Sequence, residues 1–207
     1  MIVKKQKEER YNKSIRYRRY NQVHKSNKGE KWMKTNEQEL IWLKRAEEIA
    51  TIAHAGLFDK GGTPYIEHPR RVAARMDTAA RKIVAWLHDV VEDTTWSLKD
   101  LKKEGFPNEI IKAVDAITRR DGERNADYYY RLSQDDLASY VKAYGDHPEN
   151  MDLTRIPNHT EKDKKRVAHY QKMNAILKGA GTEYFFTNTP NGLNWVHVSK
   201  IQKRNKD

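Results

Sequence analysis

The sequence predicts a mainly α-helical fold with a small β appendage near its C-terminal end. Apolar residues recur at spacings of three and four through most of residues 36–179, as they do on one face of a helix. The last thirty residues instead carry short aromatic and β-branched runs, which are typical of strands. We therefore divide the 207 residues into a basic arm (1–35), a helical domain (36–179) and a C-terminal extension (180–207).

The first three helices are predicted from their spacing and their end signals. Asn36 can cap the first helix, and Gly56 marks its end. The second is predicted from about Glu67 to Met76, because Pro69 is tolerated in a first helical turn. The third, from about Ala79 to Val91, contains the unusual stretch "AWLHDVVEDTT".

The later elements follow from similar signals. Ser97 and Thr160 are expected helix caps, and Pro107 is placed to begin a helix. Further helices are predicted at 97–105, from 107, at 124–132, at 135–146 and at 160–179. After them, a Pro-Asn-Gly turn between two strand-like runs predicts a β-hairpin.

Composition excludes several classes of protein. The chain has no cysteine, so a metal would have to be held by histidine and carboxylate side chains. No apolar run approaches the roughly 18 residues of a membrane span, and the N-terminus lacks the apolar segment of a secretory signal. We expect a cytoplasmic protein that does not enter a membrane.

The net charge of +11 is concentrated in the N-terminal arm. Residues 1–35 contain eight lysines and four arginines against three glutamates, which accounts for +9. Tyr11, Tyr17 and Tyr20 are interleaved with these cations, a pattern found in proteins that bind single-stranded nucleic acid. Two interpretations stay open, a solvated tail and a contact with nucleic acid or the ribosome.

The stretch "AWLHDVVEDTT" places four ionisable side chains within one arc of its predicted helix: His88, Asp89, Glu92 and Asp93. The opposite side of that helix is apolar, so the arc lies close to a buried face. Because unpaired charges are costly in a low dielectric, a divalent cation would resolve the conflict. His88 and Asp89 can reach one ion, and the two acids one turn later can act on water or substrate.

Two further ligands are expected from elsewhere in the chain. "PYIEHPRRVA" offers His68 at the start of a helix, and "YVKAYGDHPENMDL" offers Asp146 near the end of one. Together with His88 and Asp89, they would form a set of two histidines and two carboxylates. Such a mixture suits Mn²⁺, with Fe²⁺ or Co²⁺ close behind.

These motifs, in this order, resemble a known family. "AHAGLFDKGGTPYIEHPRRVA", "AWLHDVVEDT", "VDAITRRDGE" and "VKAYGDHPENMDL" are similar to the HD superfamily of metal-dependent phosphohydrolases. Within it, they most resemble the (p)ppGpp hydrolase domain of Rel/SpoT enzymes and small alarmone hydrolases. The resemblance covers about residues 40–178 and implies an HD-domain helical bundle that hydrolyses a nucleotide.

The resemblance also implies roles for individual residues. The implied metal ligands are His68, His88, Asp89 and Asp146, and the implied catalytic acids are Glu92 and Asp93. Lys60 matches a residue that contacts substrate phosphate, and Asn150 matches one that contacts the sugar or base. Lys142, one turn before Asp146, is a further cation that we place in the substrate-binding set.

One departure from the family bears on the substrate. Asp59 stands where these hydrolases usually have an arginine that supports the nucleobase, which leaves the guanine specificity open. The alternatives are a 5′-nucleotidase, a cyclic-nucleotide phosphodiesterase, an NADPH phosphatase, or an RNA-binding module with a non-catalytic HD domain. Among the other histidines, His54 is expected in the core or at a pocket edge and His147 on the surface.

Overall fold

The described part of the protein is predominantly helical, which confirms the predicted fold class. The computed structural model describes residues 30–178 and two strands at 184–189 and 192–197, and it describes side chains from residue 37 to 178. None of the helices in this part combines the length and the apolar character needed to cross a bilayer.

The helices have the following bounds in chain order: α1 Glu30–Ala53, α2 Glu67–Ala74, α3 Ala79–Leu87, α4 Val90–Asp93, α5 Leu98–Lys103, α6 Asn108–Ile117, α7 Asn125–Leu132, α8 Asp136–Val141, α9 His147–Met151 and α10 Glu161–Leu177. A π-helical turn, Lys142–Asp146, joins α8 to α9, and a 3₁₀ turn, Leu153–Arg155, follows α9.

Two of the predicted helix starts are confirmed by their cap geometry. Ser97 accepts from the backbone of Asp100, and the Asp100 side chain accepts in return from the backbone of Ser97. Thr160 and Asp163 form the same reciprocal pair at the start of α10. These capping boxes satisfy backbone groups that a helix start leaves without partners.

The predicted start of the first helix is wrong. α1 begins at Glu30, so Asn36 lies inside the helix instead of capping it. Residues 30–36 contain neither glycine nor proline, and nothing in that stretch interrupts helix propagation. The expected end is correct, because the helix stops at Ala53 and Gly56 adopts a left-handed backbone with φ +79°.

Two predicted helices differ from the structure at the candidate ligands. The third helix is interrupted, since α3 ends at Leu87, His88 and Asp89 form a turn, and α4 resumes at Val90. Conversely, the helix expected to end at Asp146 continues through the π-helical turn into α9. A π-helical turn has one extra residue per turn, which rotates the following side chains relative to those before it.

A single apolar cluster lies behind the candidate site. It packs α2, α3, α6 and α8 around buried side chains such as Val72, Ile83, Leu87, Ile110 and Val141. Burial of this kind supplies most of the driving force for folding. It also fixes α2, which carries His68 in its first turn, against α3, which leads into His88.

The C-terminal extension contains two strands, Tyr184–Thr189 and Gly192–His197. They pair antiparallel, with Thr189 opposite Gly192 and Tyr184 opposite His197. The other residues of 180–207 and all of residues 1–29 lie outside the described part, as do the expected end of the last helix at Gly179 and nearly all of the basic arm.

Candidate metal centre and active site

Four side chains from separate parts of the sequence converge at one point. His68 Nε2 lies 3.2 Å from His88 Nε2 and 3.1 Å from Asp146 Oδ1. Asp89 Oδ2 lies 3.4 Å from His68 Nε2 and 3.0 Å from His88 Nε2. These are the four ligands expected from the sequence, and the structure brings all four together.

The spacing of these atoms fits a divalent ion. Two ligands that are each about 2.1 Å from one ion lie about 3.0 Å apart at a right angle and about 3.4 Å apart at a tetrahedral angle. The donor atoms of His68, His88 and Asp89 lie within 4.8 Å of one another, and Asp146 Oδ1 is within 3.5 Å of both imidazole nitrogens. The donor set therefore suits a first-row divalent metal.

The backbone orients His88 for this role. Its Nδ1 lies 2.7 Å from the carbonyl oxygen of Ala85 in the last turn of α3, so Nδ1 carries the ring proton. In the neutral ring, the form that binds a metal, the other nitrogen, Nε2, then presents a lone pair to the site. The end of α3 at Leu87 thus turns His88 and Asp89 towards the same point.

The π-helical turn brings Asp146 close to His68 through a glycine. A Cβ on Gly145 would lie 2.7 Å from Val72 Cγ1 and 2.9 Å from Met76 Cε, both closer than real Cβ contacts. Only a residue without a side chain allows this approach between the turn and α2. Asp146 follows Gly145 directly and is 2% exposed, so the close packing holds the ligand in the interior.

Two neighbours hold the Asp146 carboxylate. Lys142 Nζ lies 2.6 Å from Asp146 Oδ2, and the Asn150 side-chain amide donates to Asp146 Oδ1 over 2.6 Å. The structure therefore places Lys142 and Asn150, both expected to bind substrate, in direct contact with a candidate metal ligand. Partners of this kind orient a ligand and tune its basicity.

The two expected catalytic acids lie at the edge of the site and remain accessible to solvent. Glu92 Oε2 accepts a hydrogen bond from the backbone N–H of Arg119 over 2.8 Å. Asp93 Oδ2 accepts one from the hydroxyl group of Tyr65 over 3.1 Å, and the same hydroxyl lies 2.8 Å from Asp89 Oδ2. Tyr65 therefore joins a candidate ligand to a candidate catalytic acid.

The electrostatics of the centre favour bound positive charge. Burial lowers the pKa of His88, but the carboxylates of Asp89 and Asp146 outweigh it and raise this pKa to about 10. Burial would raise the pKa of Asp89, yet His88 and His68 hold it well below its usual range. Asp146 is likewise buried, and Lys142 and the histidines keep its pKa low. Both carboxylates are thus anionic at neutral pH and available to a metal.

The pKa values of the two acids at the edge of the site shift upwards, opposite to those of Asp89 and Asp146. Partial burial raises the pKa of Glu92, although the Arg119 N–H and Lys142 oppose it. Partial burial also raises the pKa of Asp93, and repulsion from Asp89 adds to the effect. Carboxyl groups with raised pKa values are suited to general acid–base roles.

Lys60 lies in the loop before α2 and is paired away from the ligands. Its Nζ is 3.1 Å from Asp163 Oδ1, and the side chain is 60% exposed. Its partner Asp163 is buried, so solvent reaches this pair from the lysine side. Lys60 is thus available to a phosphate that approaches from solvent.

His54 is in the core, next to Tyr65. It is 2% exposed, its Nδ1 lies 2.9 Å from the Ala50 carbonyl oxygen, and its ring centroid is 5.1 Å from that of Tyr65. His147, expected on the surface, is instead fully buried between Tyr129 and Asn174, because the chain continues as α9 beyond Asp146.

Two contributors to the site were missed from the sequence. Tyr65 lies in the quoted "PYIEHP" motif, three residues before His68, and this proximity was the available signal. Gly145, directly before Asp146, stands in a segment for which the sequence pattern predicts only a helix end. A glycine within a helical pattern often marks close backbone packing, and that rule would have identified it.

Comparisons with known proteins agree with the fold. No family model matches the chain. A solved structure described as a metazoan ortholog of SpoT that hydrolyses ppGpp is similar with a TM-score of 0.56 and 20% identity, covering 66% of this chain and 84% of that one. The two structures share a fold. Together with the curated relatives that follow, this shared fold confirms the resemblance to the HD-type domain of Rel/SpoT proteins.

Curated relatives match a shorter segment. A guanosine-3′,5′-bis(diphosphate) 3′-pyrophosphohydrolase of Haemophilus influenzae is 40% identical over 78 residues, which are 35% of this chain and 11% of the relative. The bifunctional (p)ppGpp synthase/hydrolase SpoT of Escherichia coli K12 is 33% identical over 89 residues, 41% of this chain and 12% of the relative. The chain spans about a tenth of the length of the curated relatives it matches.

Proposed function

We propose that the domain is a metal-dependent nucleotide phosphohydrolase that removes the 3′-pyrophosphate of ppGpp and pppGpp. The observation that carries this proposal is the convergence of two imidazole nitrogens and two carboxylate oxygens, each of the four within 3.5 Å of at least two others. Relatives named as pyrophosphohydrolases support the choice of substrate.

His68, His88, Asp89 and Asp146 would hold the metal, which we take to be Mn²⁺. When bound, the ion would supply Lewis-acid polarisation and lower the pKa of a water molecule. Glu92 and Asp93 would orient the attacking water and accept its proton, since both carboxyls lie at the accessible edge of the centre. Lys60 would contact the phosphates of the substrate.

Lys142 and Asn150 would act on the ligand Asp146 as well as on substrate. Lys142 is only 16% exposed, and its ammonium group already faces the Asp146 carboxylate. Such a cation offsets repulsion among the acids and keeps the ligand ionised. A substrate phosphate that entered the centre would meet this same charge.

The domain limits remain part of the proposal: an arm at 1–35, the phosphohydrolase domain at 36–179 and a β-hairpin extension at 180–207. A second candidate function concerns the arm. Its charge of +9 and its three interleaved tyrosines favour contact with RNA or the ribosome. Removal of residues 1–35 would then abolish salt-sensitive RNA binding and leave hydrolysis intact.

The test is release of phosphate and pyrophosphate from a panel of nucleotides in the presence of Mn²⁺. The panel contains ppGpp, pppGpp, a nucleoside 5′-monophosphate, a cyclic nucleotide and NADPH. Asp89→Ala is the blank, and Asp127→Ala, at a partly exposed aspartate paired with Arg124, is the matched control.

We expect pyrophosphate from ppGpp and pppGpp with the wild type and Asp127→Ala, and none with Asp89→Ala. Turnover of only another nucleotide would support the assigned site but show that the substrate is not ppGpp or pppGpp. Turnover retained in Asp89→Ala would refute the assignment of the centre. Absence of any turnover in the Mn²⁺-loaded protein would favour the binding function of the arm.

A further inference from the structure

Glu149 is a buried carboxylate that faces three arginines. It is 2% exposed, Arg71 Nε donates to its Oε1, and Arg75 Nη2 lies 3.3 Å from its Oε2. Arg155 Nε lies 3.2 Å from Oε1 as well. None of these four residues belongs to the ligand, catalytic or substrate-binding sets described above, so the cluster has no assigned role.

The Arg71–Glu149 ion pair lies one helical turn beyond the contact between the candidate ligands His68 and Asp146. Arg71 follows His68 by three residues on α2. Glu149, on α9, follows Asp146, the last residue of the π-helical turn, by three residues. The contacts His68–Asp146 and Arg71–Glu149 therefore span the same sequence separation of 78 residues. The ion pair and the pair of ligands are successive contacts along the same two segments.

A second branch connects Glu149 to the loop that carries Lys60. Arg155 Nη2 donates to the Glu149 carbonyl oxygen over 2.8 Å, and Arg155 Nη1 donates to Asp59 Oδ2 over 3.2 Å. Asp59 Oδ1 accepts from the backbone N–H groups of Gly61 and Thr63, each over 2.9 Å. Asp59 therefore holds the loop backbone at Gly61 and Thr63, and Arg155 in turn holds the Asp59 carboxylate.

Close packing reinforces this branch. A Cβ on Gly61 would lie 2.3 Å from the carbonyl oxygen of Arg155, so the loop backbone rests directly on the 3₁₀ turn. The Asp59 carboxylate thus has a structural role in organising the loop. Lys60 stands between Asp59 and Gly61, and its main chain is fixed by these contacts.

The charges explain why Glu149 is central. Three guanidinium groups around one buried carboxylate would repel each other if that carboxylate became neutral, because the interior screens charge poorly. Arg71 belongs to α2, the helix that begins beside His68, and Arg75 directly follows that helix. Loss of the central charge would therefore push α2 away from α9 and separate His68 from Asp146.

We propose that Glu149 is a positioning residue of the metal centre, which sets the separation of His68 and Asp146 through Arg71 and Arg75. Its Arg155–Asp59 branch positions the loop that carries Lys60. This inference rests on the proposed function, in which the four ligands hold a metal and Lys60 meets the substrate.

The first test titrates the full chain with Mn²⁺ alone by calorimetry. Glu149→Gln keeps the shape of the side chain and removes its charge. We expect it to weaken Mn²⁺ affinity about 10-fold, the lower end of the loss seen when a direct partner of a ligand is removed, because Glu149 acts on the ligands through the arginines. Arg75→Gln, at a more exposed position, should weaken it less. The double variant should be no weaker than Glu149→Gln, since one interaction is removed twice.

Two controls separate positioning from general destabilisation. Ile110→Ala removes a buried core side chain away from the cluster, and it should lower the thermal midpoint without changing Mn²⁺ affinity. Asp59→Asn keeps the Oδ1 acceptor and removes the charged partner of Arg155. We expect it to raise the KM for ppGpp several-fold while its Mn²⁺ affinity stays that of the wild type.

The outcomes distinguish the two proposals. If the wild type binds Mn²⁺ and both Glu149→Gln and Arg75→Gln bind it as tightly as the wild type does, the positioning role is overturned. The proposed function would still stand. A wild type that binds no Mn²⁺ would overturn both. If Glu149→Gln does not fold, Arg75→Gln decides, because that arginine is 45% exposed and its loss is tolerable. An unchanged KM in Asp59→Asn would refute the proposal that the Arg155–Asp59 branch positions the loop carrying Lys60.

Discussion

The hydroxyl group of Tyr65 donates to Asp89 Oδ2 over 2.8 Å, which ties the loop before α2 to a candidate metal ligand. The same hydroxyl lies 3.1 Å from Asp93 Oδ2, so one proton is shared between a ligand and a candidate catalytic acid. His54 packs against the ring of Tyr65 from the core side. His54, directly after α1, thus supports the ring, while Asp89 and Asp93, directly before and at the end of α4, hold the hydroxyl group.

Removal of this hydroxyl should reduce turnover without unfolding the protein. We expect Tyr65→Phe to lower kcat for ppGpp about 10-fold at saturating Mn²⁺, because Asp89 and Asp93 lose their common donor. Steady-state kinetics and far-UV circular dichroism would measure the effect. Tyr130→Phe, which alters a partly exposed tyrosine of α7, is the control and should keep the wild-type kcat. Equal kcat values in the two variants would contradict this role for Tyr65.

Replacement of Lys142 should make metal binding more sensitive to acid. Lys142 helps to keep the pKa of Asp146 low, so Lys142→Met should raise that pKa and let protons compete with the metal at a higher pH. We expect the loss of Mn²⁺ affinity relative to wild type to be larger near about pH 6 than near about pH 8. Mn²⁺ titrations at both values would show it.

The same variant separates two roles of Lys142. A rise in the KM for nucleotide with unchanged Mn²⁺ affinity at both pH values would favour direct substrate binding alone. Weaker Mn²⁺ binding would favour action through Asp146. Lys103→Met, at an exposed lysine of α5, is a suitable control because its Nζ pairs with Asp100, which is outside the candidate site.

The two acids at the edge should set the acidic limb of the pH–rate profile. The pKa values of Glu92 and Asp93 are raised, and a proton acceptor must be ionised, so kcat should fall as pH drops through these raised values. Glu92→Gln and Asp93→Asn should each lower kcat by about 10²-fold or more. An acidic limb at the ordinary carboxyl range in the wild type would argue against both assignments.

His147 should make the stability of the fold depend on pH. Burial is the main cause that lowers its pKa, to about 4, and Lys142 adds repulsion. Between about pH 6.5 and pH 4 the unfolded chain binds a proton that the native state excludes, so stability is complete above this range and is lost as pH falls through it. The loss attributable to this group is on the order of 3 kcal/mol.

Urea unfolding of the metal-free protein at several pH values would test the effect of His147. His147→Gln should be less stable than wild type near neutrality, because the contacts with Tyr129 and Asn174 are altered, and should lose less stability on acidification. Parallel stability–pH curves for the two proteins would show that other groups cause the acid sensitivity.

Local chemistry determined several features of the protein from its sequence. Apolar spacing predicts the helical fold, and Ser97 and Thr160 mark helix starts because their side chains satisfy local backbone groups. The types of the four candidate ligands were also predictable, since a chain without cysteine would have to hold a metal with histidine and carboxylate. Asn36 failed as a cap because a capping signal is overridden where the helix continues through it.

Only the tertiary structure decided which of these groups meet. The break of the helix at His88, the π-helical turn before Asp146 and the approach allowed by Gly145 all depend on packing between elements distant in sequence. The hydrogen bond from Tyr65 to Asp89 joins residues 24 positions apart in the sequence. The ion pairs of Glu149 with Arg71 and Arg75 join residues 78 and 74 positions apart, whereas its pair with Arg155 is local. Sequence periodicity describes one element at a time, whereas the distance between two ligands is set by how the buried faces of their helices fit together.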